Sequence, residues 1–412
     1  MEIDRRTMLA GAAALPFATG SIAATAAADD WELIAREYDV IREVIQLEHG
    51  NWGMMARPVL ATYRAMVERV NRDTSYYARR TMVGDVEAAR AAMASAMGVA
   101  VEEITFTRNA TEAMKALILQ YNRLRPGDAV LYADLDYDSM QASMDSLAAR
   151  RGVRVIRIAL PEPATRQSLV DTYTAAFDAN PAIKLTLLTH VSHRTGLVLP
   201  VAEIATIARE RGIDALVDAA HGVGQLDFRL PDLKADFVGI NLHKWVGAPL
   251  GVGALYIRRE RIDAIDPDPA ESPVSSDVGA RVHTGTLDYA AQLTVPTALA
   301  FQAAIGAARR EARLRALRDR WVRAVRDLPQ VQILTPEDPR LYGAITSFRL
   351  RGRTSHDQNV ALAKALLDKY RIFTVHRDGL ESGACVRVTP ALATRMSDMD
   401  ALAAAIRSLA KA

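Results

Sequence analysis

The sequence predicts an α/β fold: a mostly parallel seven-stranded sheet covered by helices, followed by a smaller α+β domain. Three observations predict it. Seven short runs of β-branched and aliphatic residues follow one another between residues 103 and 259. Most are separated by segments of helical periodicity, and strands that are apolar throughout and joined by helices belong to a sheet buried on both faces. From about residue 320 the pattern changes to short strands around one helix.

The elements follow in order. DVEAARAAMASAMG (85–98) carries apolar or small residues at helical spacing. EITFT (103–107) reads as a strand running into a helix that begins at RNATEA. DAVLYAD (128–134), GVRVIRIAL (152–160), IKLTLLTHV (183–191), GIDALVDAA (212–220), ADFVGINL (235–242) and GVGALYIRR (251–259) complete the large sheet. VAEIATIARERG (201–212) is a helix closing on Gly212. A helix-rich stretch (about 288–327) leads to the second domain, where GAITSFRL (343–350), RIFTVH (371–376) and CVRVTP (385–390) are strands around the helix DQNVALAKALLDKY. The chain thus divides into an export signal (1–28), an N-terminal segment packing on the small domain (29–60), a large domain (61–320) and a small domain (321–412).

Composition narrows the function. The 412 residues are 50% hydrophobic and 24% charged, with a net charge of +2, so neither nucleic acid nor an anionic membrane is an expected partner. The one cysteine, Cys385, permits no intrachain disulfide and no cysteine-rich zinc site. The N-terminus differs from the rest. MEIDRRTMLAGAAALPFATGSIAATAAADD has paired Arg5 and Arg6, a mild apolar run, and the small residues Ala26–Ala28 before Asp29. It resembles a twin-arginine export signal. The run is too weakly apolar, and too interrupted by Pro16 and Gly20, for stable membrane insertion. The expectation is export in the folded state through the twin-arginine translocase, with the mature protein in the periplasm. An unstructured alanine-rich tail is the alternative.

In α/β sheets ligands bind beyond the carboxyl ends of the strands. TRNATEA supplies Asn109, Ala110 and Thr111 at a helix N-terminus, a phosphate-binding arrangement that plain N-capping by Asn109 also explains. Tyr137 follows the second strand, and His190, Ser192 and His193 the fourth. Asp218 closes the apolar run IDALVD, where a carboxylate needs a positive partner. His221 lies just beyond it, and INLHKWVGAPLGVG puts Asn241, His243 and Lys244 after another strand. A phosphate site, an aromatic face, a buried carboxylate, imidazoles and a lysine together suit a planar, phosphorylated, cationic heterocycle that condenses with an amine. Pyridoxal 5′-phosphate (PLP) is such a cofactor.

The segment VDAAHGVGQLDFRLPDLKADFVGINLHKWVGAPLGVGALYIRR resembles the cofactor segment of class V aminotransferases, of the aspartate-aminotransferase-like PLP fold type I. D-x-A-H precedes H-K by twenty-six residues, and RNATEA, HVSHRTGLVLPV and HTGTLDY match in order. The resemblance implies that Lys244 is the Schiff-base lysine and Cα proton shuttle. It implies that Asp218 keeps the pyridinium protonated, that His221 lies near the ring oxygen, and that Tyr137 stacks on the ring. Ala110, Thr111, Asn241 and His243 would bind the phosphate, and Thr286 would reach the phosphate of the neighbouring subunit of a homodimer. His193 stands where the family commonly has an asparagine.

The substrate is expected to be an amino acid or peptidyl amino acid, its carboxylate held by Arg387 and its side chain faced by Asn51 and Trp52. LEHGNWGMMARPVL (47–60) resembles the isopenicillin N epimerase-like branch, which implies epimerisation or transamination. A C–S or Cβ lyase is the alternative. Desulfurases of the persulfide type carry a mobile cysteine about fifteen residues before the arginine, where this chain has Ile372. Cys385 reads instead as buried and inert. A non-catalytic periplasmic binding protein on the same fold is the reading from another class, and retention of both Lys244 and Asp218 argues against it.

Overall fold

A computed structural model describes residues 30–411, apart from Thr284. The expected export signal lies outside the described residues. Among these residues no helix is long and apolar enough to cross a membrane.

A short helix α1 (Trp31–Arg36) and a two-residue strand β1 (Ile45–Gln46) precede two long helices, α2 (Arg57–Arg80) and α3 (Met82–Met97). The alternating part runs β2 (Ile104–Thr107), α4 (Ala110–Leu119), β3 (Ala129–Ala133), α5 (Asp138–Arg151), β4 (Arg154–Ile158), α6 (Arg166–Ala179), β5 (Ile183–Thr189), α7 (Val201–Glu210), β6 (Asp214–Asp218), β7 (Phe237–Asn241) and β8 (Gly253–Ile257). Helices α8 (Tyr289–Ile305) and α9 (Ala307–Val325) lead to β9 (Val331–Ile333), β10 (Thr346–Leu350), α10 (His356–Tyr370), β11 (Ile372–Phe373), β12 (Val375–Arg377), β13 (Cys385–Val388) and α11 (Met396–Leu409).

The seven strands of the large sheet lie in the order β2-β8-β7-β6-β5-β3-β4. Six run parallel, and β8 runs against its neighbours β2 and β7. The exception has a simple cause. Parallel neighbours need a long crossover, whereas the chain returns from β7 to β8 through a short connection, which only antiparallel pairing allows. That connection carries Lys244. The sheet is buried on both faces except along its edge strand β4, where Arg154 and Arg157 are exposed. Met114 and Leu117 of α4 and Met140 and Met144 of α5 pack with Leu216 and Phe237 on one side. Met93 of α3, Leu169 of α6, Ile204 of α7 and Val295 of α8 pack with Val217 and Val238 on the other.

The smaller sheet is antiparallel, in the order β12-β13-β10-β9. Its core joins Trp321 of α9, Phe348 of β10, Leu366 of α10 and Leu402 of α11. The single strand expected at 371–376 is two strands, because the chain changes partner at Thr374. Ile372–Phe373 pairs with β1, and Val375–Arg377 pairs with β13.

The N-terminal segment divides between the two bodies. Ile34 and Tyr38 join the core of the large domain, with Tyr38 edge-on to Phe301 at 5.9 Å. Leu47 joins the core of the small domain. Between β1 and α2 the chain crosses the floor of the cleft that separates the bodies. There Gly53 donates its N–H to His243 O at 2.8 Å. A Cβ on residue 53 would stand 1.8 Å from Lys244 O, so only glycine fits. Gly53→Ala should push this loop away from the lysine loop and destabilise the protein by roughly 1–3 kcal/mol, as overpacking against backbone does. A thermal melt equal to that of the wild type would show that the approach is looser than this.

Candidate active site

The carboxyl ends of β2, β5, β6 and β7 open into one cavity of about 460 Å³, closed on its far side by the small domain. At one end lies the start of α4. Asn109 caps the helix, accepting from Glu112 N at 2.9 Å. Ala110 N–H donates to Asn241 Oδ1 at 2.8 Å, which turns the Asn241 amide nitrogen away from the helix. Thr111 lines the cavity, and among the described residues its N–H and hydroxyl have no hydrogen-bond partner. His243 donates from Nδ1 to Val252 O at 3.1 Å. A helix N-terminus with a spare N–H and hydroxyl beside an amide can bind an anion. Gly253 makes the arrangement possible, since a Cβ there would meet Asn109 Cα at 2.8 Å.

Further in, Asp218 ends β6 with its side chain buried. Its Oδ1 accepts from Ala220 N at 2.9 Å. Burial pushes its carboxyl pKa up, against the pull of Lys244. Among the described residues no cation pairs with it. Tyr137 and His193 form the adjoining wall, their rings perpendicular with centroids 5.0 Å apart. Burial pushes His193 down to about 4, so its imidazole is neutral.

Lys244 lies at the floor. Its Nζ donates to Gly50 O at 2.9 Å and stands 3.2 Å from His221 Nε2. Burial, reinforced by the charge of Arg387, pushes its pKa down to about 7. At neutral pH a large share of the side chain is therefore free amine, the form that attacks a carbonyl carbon or accepts a proton.

Arg387, 1% exposed, forms the wall nearest the small domain. Its Nη1 donates to His193 O at 2.7 Å and its Nη2 to Glu48 Oε1 at 2.5 Å. Arg377 donates to the same oxygen at 3.1 Å. The acid beside Arg387 is thus Glu48. Two guanidiniums share one carboxylate, which leaves a net positive charge able to hold an anion. Strand alternation sets Cys385 and Arg387 on one face, toward residues 193–194, while Val386 and Val388 enter the core. Burial pushes the Cys385 thiol up to about 12, so it is not a nucleophile at neutral pH.

The cavity brings together Asn51, Ala110, Thr111, Tyr137, His193, Asp218, His221, Asn241, His243, Lys244 and Arg387. It does not include Trp52. That indole is 56% exposed and lines an adjoining cavity of about 690 Å³, which shares Asn51 and Arg377 with the first. The chain turns between Asn51 and Gly53 to reach the lysine loop, so Asn51 borders both cavities while Trp52 borders only the second. Thr286 is exposed and lines no part of its own chain's cavity. Glu48, Gly50, His49 and Arg377 escaped the sequence reading. A charged residue ending the strand TVHR was a usable signal for Arg377; nothing local marked Glu48.

The class V aminotransferase model matches residues 56–400. The chain belongs to the class V aminotransferase family. Isopenicillin N epimerase of Streptomyces clavuligerus is 28% identical over 398 residues, covering 92% of this chain and 98% of that one. L-cysteine desulfhydrase of Arabidopsis thaliana is 24% identical over 277 residues, covering 63% and 60%. The solved structure of a lysine-to-alanine mutant of C-DES, with glycine covalently linked to its PLP cofactor, superimposes with a TM-score of 0.76 at 23% identity, covering 91% of this chain and 98% of that one. The fold is PLP fold type I and the cofactor is PLP. The residues fit it on their own chemistry: a buried carboxylate without a cation suits a protonated ring nitrogen, and the start of α4 suits a phosphate.

One prediction follows from the lysine. In the cofactor-free chain, the rate of Lys244 acylation against pH should have its midpoint near 7, with reactivity rising as pH rises through that value. Peptide mapping of the labelled site checks it. A midpoint near the ordinary lysine value of 10.5 would contradict the desolvated environment.

Proposed function

We propose that this protein removes and returns the proton at Cα of an amino acid or peptidyl amino acid, as an epimerase or aminotransferase of the isopenicillin N epimerase type. The observation that carries the proposal is the Lys244 amine, held at the cavity floor with a pKa of about 7 between Asp218 and the Arg387–Glu48–Arg377 cluster. Similarity to the epimerase over nearly the full length of both chains supports the type of reaction.

Bound PLP supplies the electron sink that makes the Cα proton acidic. The chain's own groups do the rest. Asp218 keeps a proton on the ring nitrogen. Lys244 Nζ takes the Cα proton and gives it back. Arg387 and Arg377 hold the substrate carboxylate and so aim the Cα–H bond at the lysine. The small domain closes the cavity against water.

Elimination at Cβ, as in a C–S lyase, is the second reading, favoured by the similarity to L-cysteine desulfhydrase. It begins with the same proton and needs no cysteine nucleophile, so the buried Cys385 does not oppose it. It does oppose a persulfide route. Exposure of Thr286 suits a homodimer in which this residue serves the partner's cofactor, and the paired Arg5 and Arg6 suit export to the periplasm.

Exchange of Cα–H for deuterium, with neither sulfide nor pyruvate released, is the expected outcome when the holoenzyme meets amino acids and peptides in heavy water. Release of sulfide from cysteine would favour the lyase. Lys244→Ala should lose the visible absorbance of the lysine-bound cofactor and all exchange. Asp218→Ala should bind PLP more weakly and lose most exchange; unchanged turnover would remove its role.

Arg387→Ala should spare the visible band but weaken substrate by about 2–4 kcal/mol, because it removes the fork and leaves buried Glu48 with Arg377 alone as its partner. Arg387→Lys should recover only part. Loss of PLP instead of substrate affinity would make Arg387 structural.

A further inference from the structure

Trp245 follows the lysine and is buried, 5% exposed. Its Nε1–H points at His221 Nδ1, 3.3 Å away. His221 Nε2 in turn stands 3.2 Å from Lys244 Nζ, which donates to Gly50 O at 2.9 Å. Two buried side chains and the half-buried Lys244 therefore form one hydrogen-bonded line, and its direction is set at one end. An indole N–H can only donate. His221 Nδ1 must accept from it, so the single proton of the neutral imidazole sits on Nε2, facing the lysine.

We infer that Trp245 is a positioning residue that fixes His221 as the Nε2–H tautomer, so that the Lys244 nitrogen meets a hydrogen-bond donor. This goes beyond the proposed reaction and stands whichever bond at Cα breaks.

An amine has a lone pair to accept from Nε2–H and can still donate to Gly50 O. An ammonium has no lone pair and would set N–H against N–H. The tautomer therefore supports the free amine. The other groups facing Nζ divide between the two forms. Asp218 and Glu48 favour the ammonium, while Arg387 and Arg377 oppose it. Burial keeps His49 and His221 themselves uncharged at neutral pH. His49 packs edge-on to Trp245 at 5.1 Å and helps hold the indole in place. Without the indole N–H, the His221 proton can move to Nδ1. Nε2 then accepts, and the ammonium form of Lys244 gains a partner.

The test uses the full chain labelled with 15N-histidine, as purified and after removal of the cofactor with hydroxylamine. His221 is assigned among the eight histidines by its disappearance in His221→Gln. Above neutrality, the wild type should show a protonated Nε2 and an unprotonated Nδ1. In Trp245→Phe the protonated-Nδ1 form should become populated. The midpoint of Lys244 acylation in the cofactor-free variant should rise by about one pH unit, a tenfold change in the amine-to-ammonium ratio. A merely structural tryptophan would move neither the tautomer nor the midpoint, so wild-type values for both in the variant overturn the inference. Should Trp245→Phe fail to fold, the wild-type spectrum decides alone, and a proton on Nδ1 there refutes the assignment.

Discussion

Residues 45–53 hold the two bodies of this protein in one arrangement. They pair with β11 through Ile45 and Gln46, and the Glu48 carboxylate accepts from Arg377 and Arg387 of the small domain. Two residues later Gly50 O accepts from Lys244 Nζ, and Gly53 N–H donates to His243 O. One short stretch of chain thus ties the strands that carry the arginines to the loop that carries the lysine. This stretch borders the cavity through Gly50 and Asn51, next to Lys244 at its floor.

The same closeness sets the electrostatics. Three cationic side chains, Lys244, Arg377 and Arg387, line the cavity with Glu48 as the acid between the arginines. Burial and like charge together push Lys244 down to about 7 and Arg387 to about 10. Arg387 stays charged through neutrality at that value, while Lys244 becomes a base. Desolvation acts on both, but an ammonium starts lower and has a nearby imidazole N–H that favours its neutral form. A fixed cation and a free amine thereby arise from the same surroundings.

The epimerase and lyase readings share this machinery, and their difference lies beyond Lys244. Both begin with a Cα proton delivered to the same nitrogen. The outcome then turns on what the substrate carries at Cβ and on how it lies between the first cavity and the adjoining one past Asn51 and Arg377. Trp52 and Leu250 give that second space an apolar side, with Asp39, Arg57 and Glu48 as polar walls. Its size leaves room for more than a single small side chain.

The sequence by itself determined the class of fold and most of the cofactor end of the site. The reason is periodicity and locality. Buried strands are read from uninterrupted apolar runs, and Asn109–Thr111, Asp218, Asn241 and Lys244 each sit at the end of such a run, where the topology collects them. The reversal of β8 was decided by the length of one connection and the split of 371–376 by a change of partner, and neither leaves a mark on hydrophobic pattern. At the other end the sequence pointed to Arg387 and Asn51, but their partners were decided by tertiary structure. Glu48 meets Arg387 across 339 positions of chain, and Lys244 meets Gly50 across 194. Trp52 and Asn51 are adjacent in sequence, yet only Asn51 reaches the cavity that holds Lys244. Local pattern carries no information on such distances, and the burial and neighbouring charges that lower the pKa of Lys244 arise only once both bodies have folded around residues 45–53.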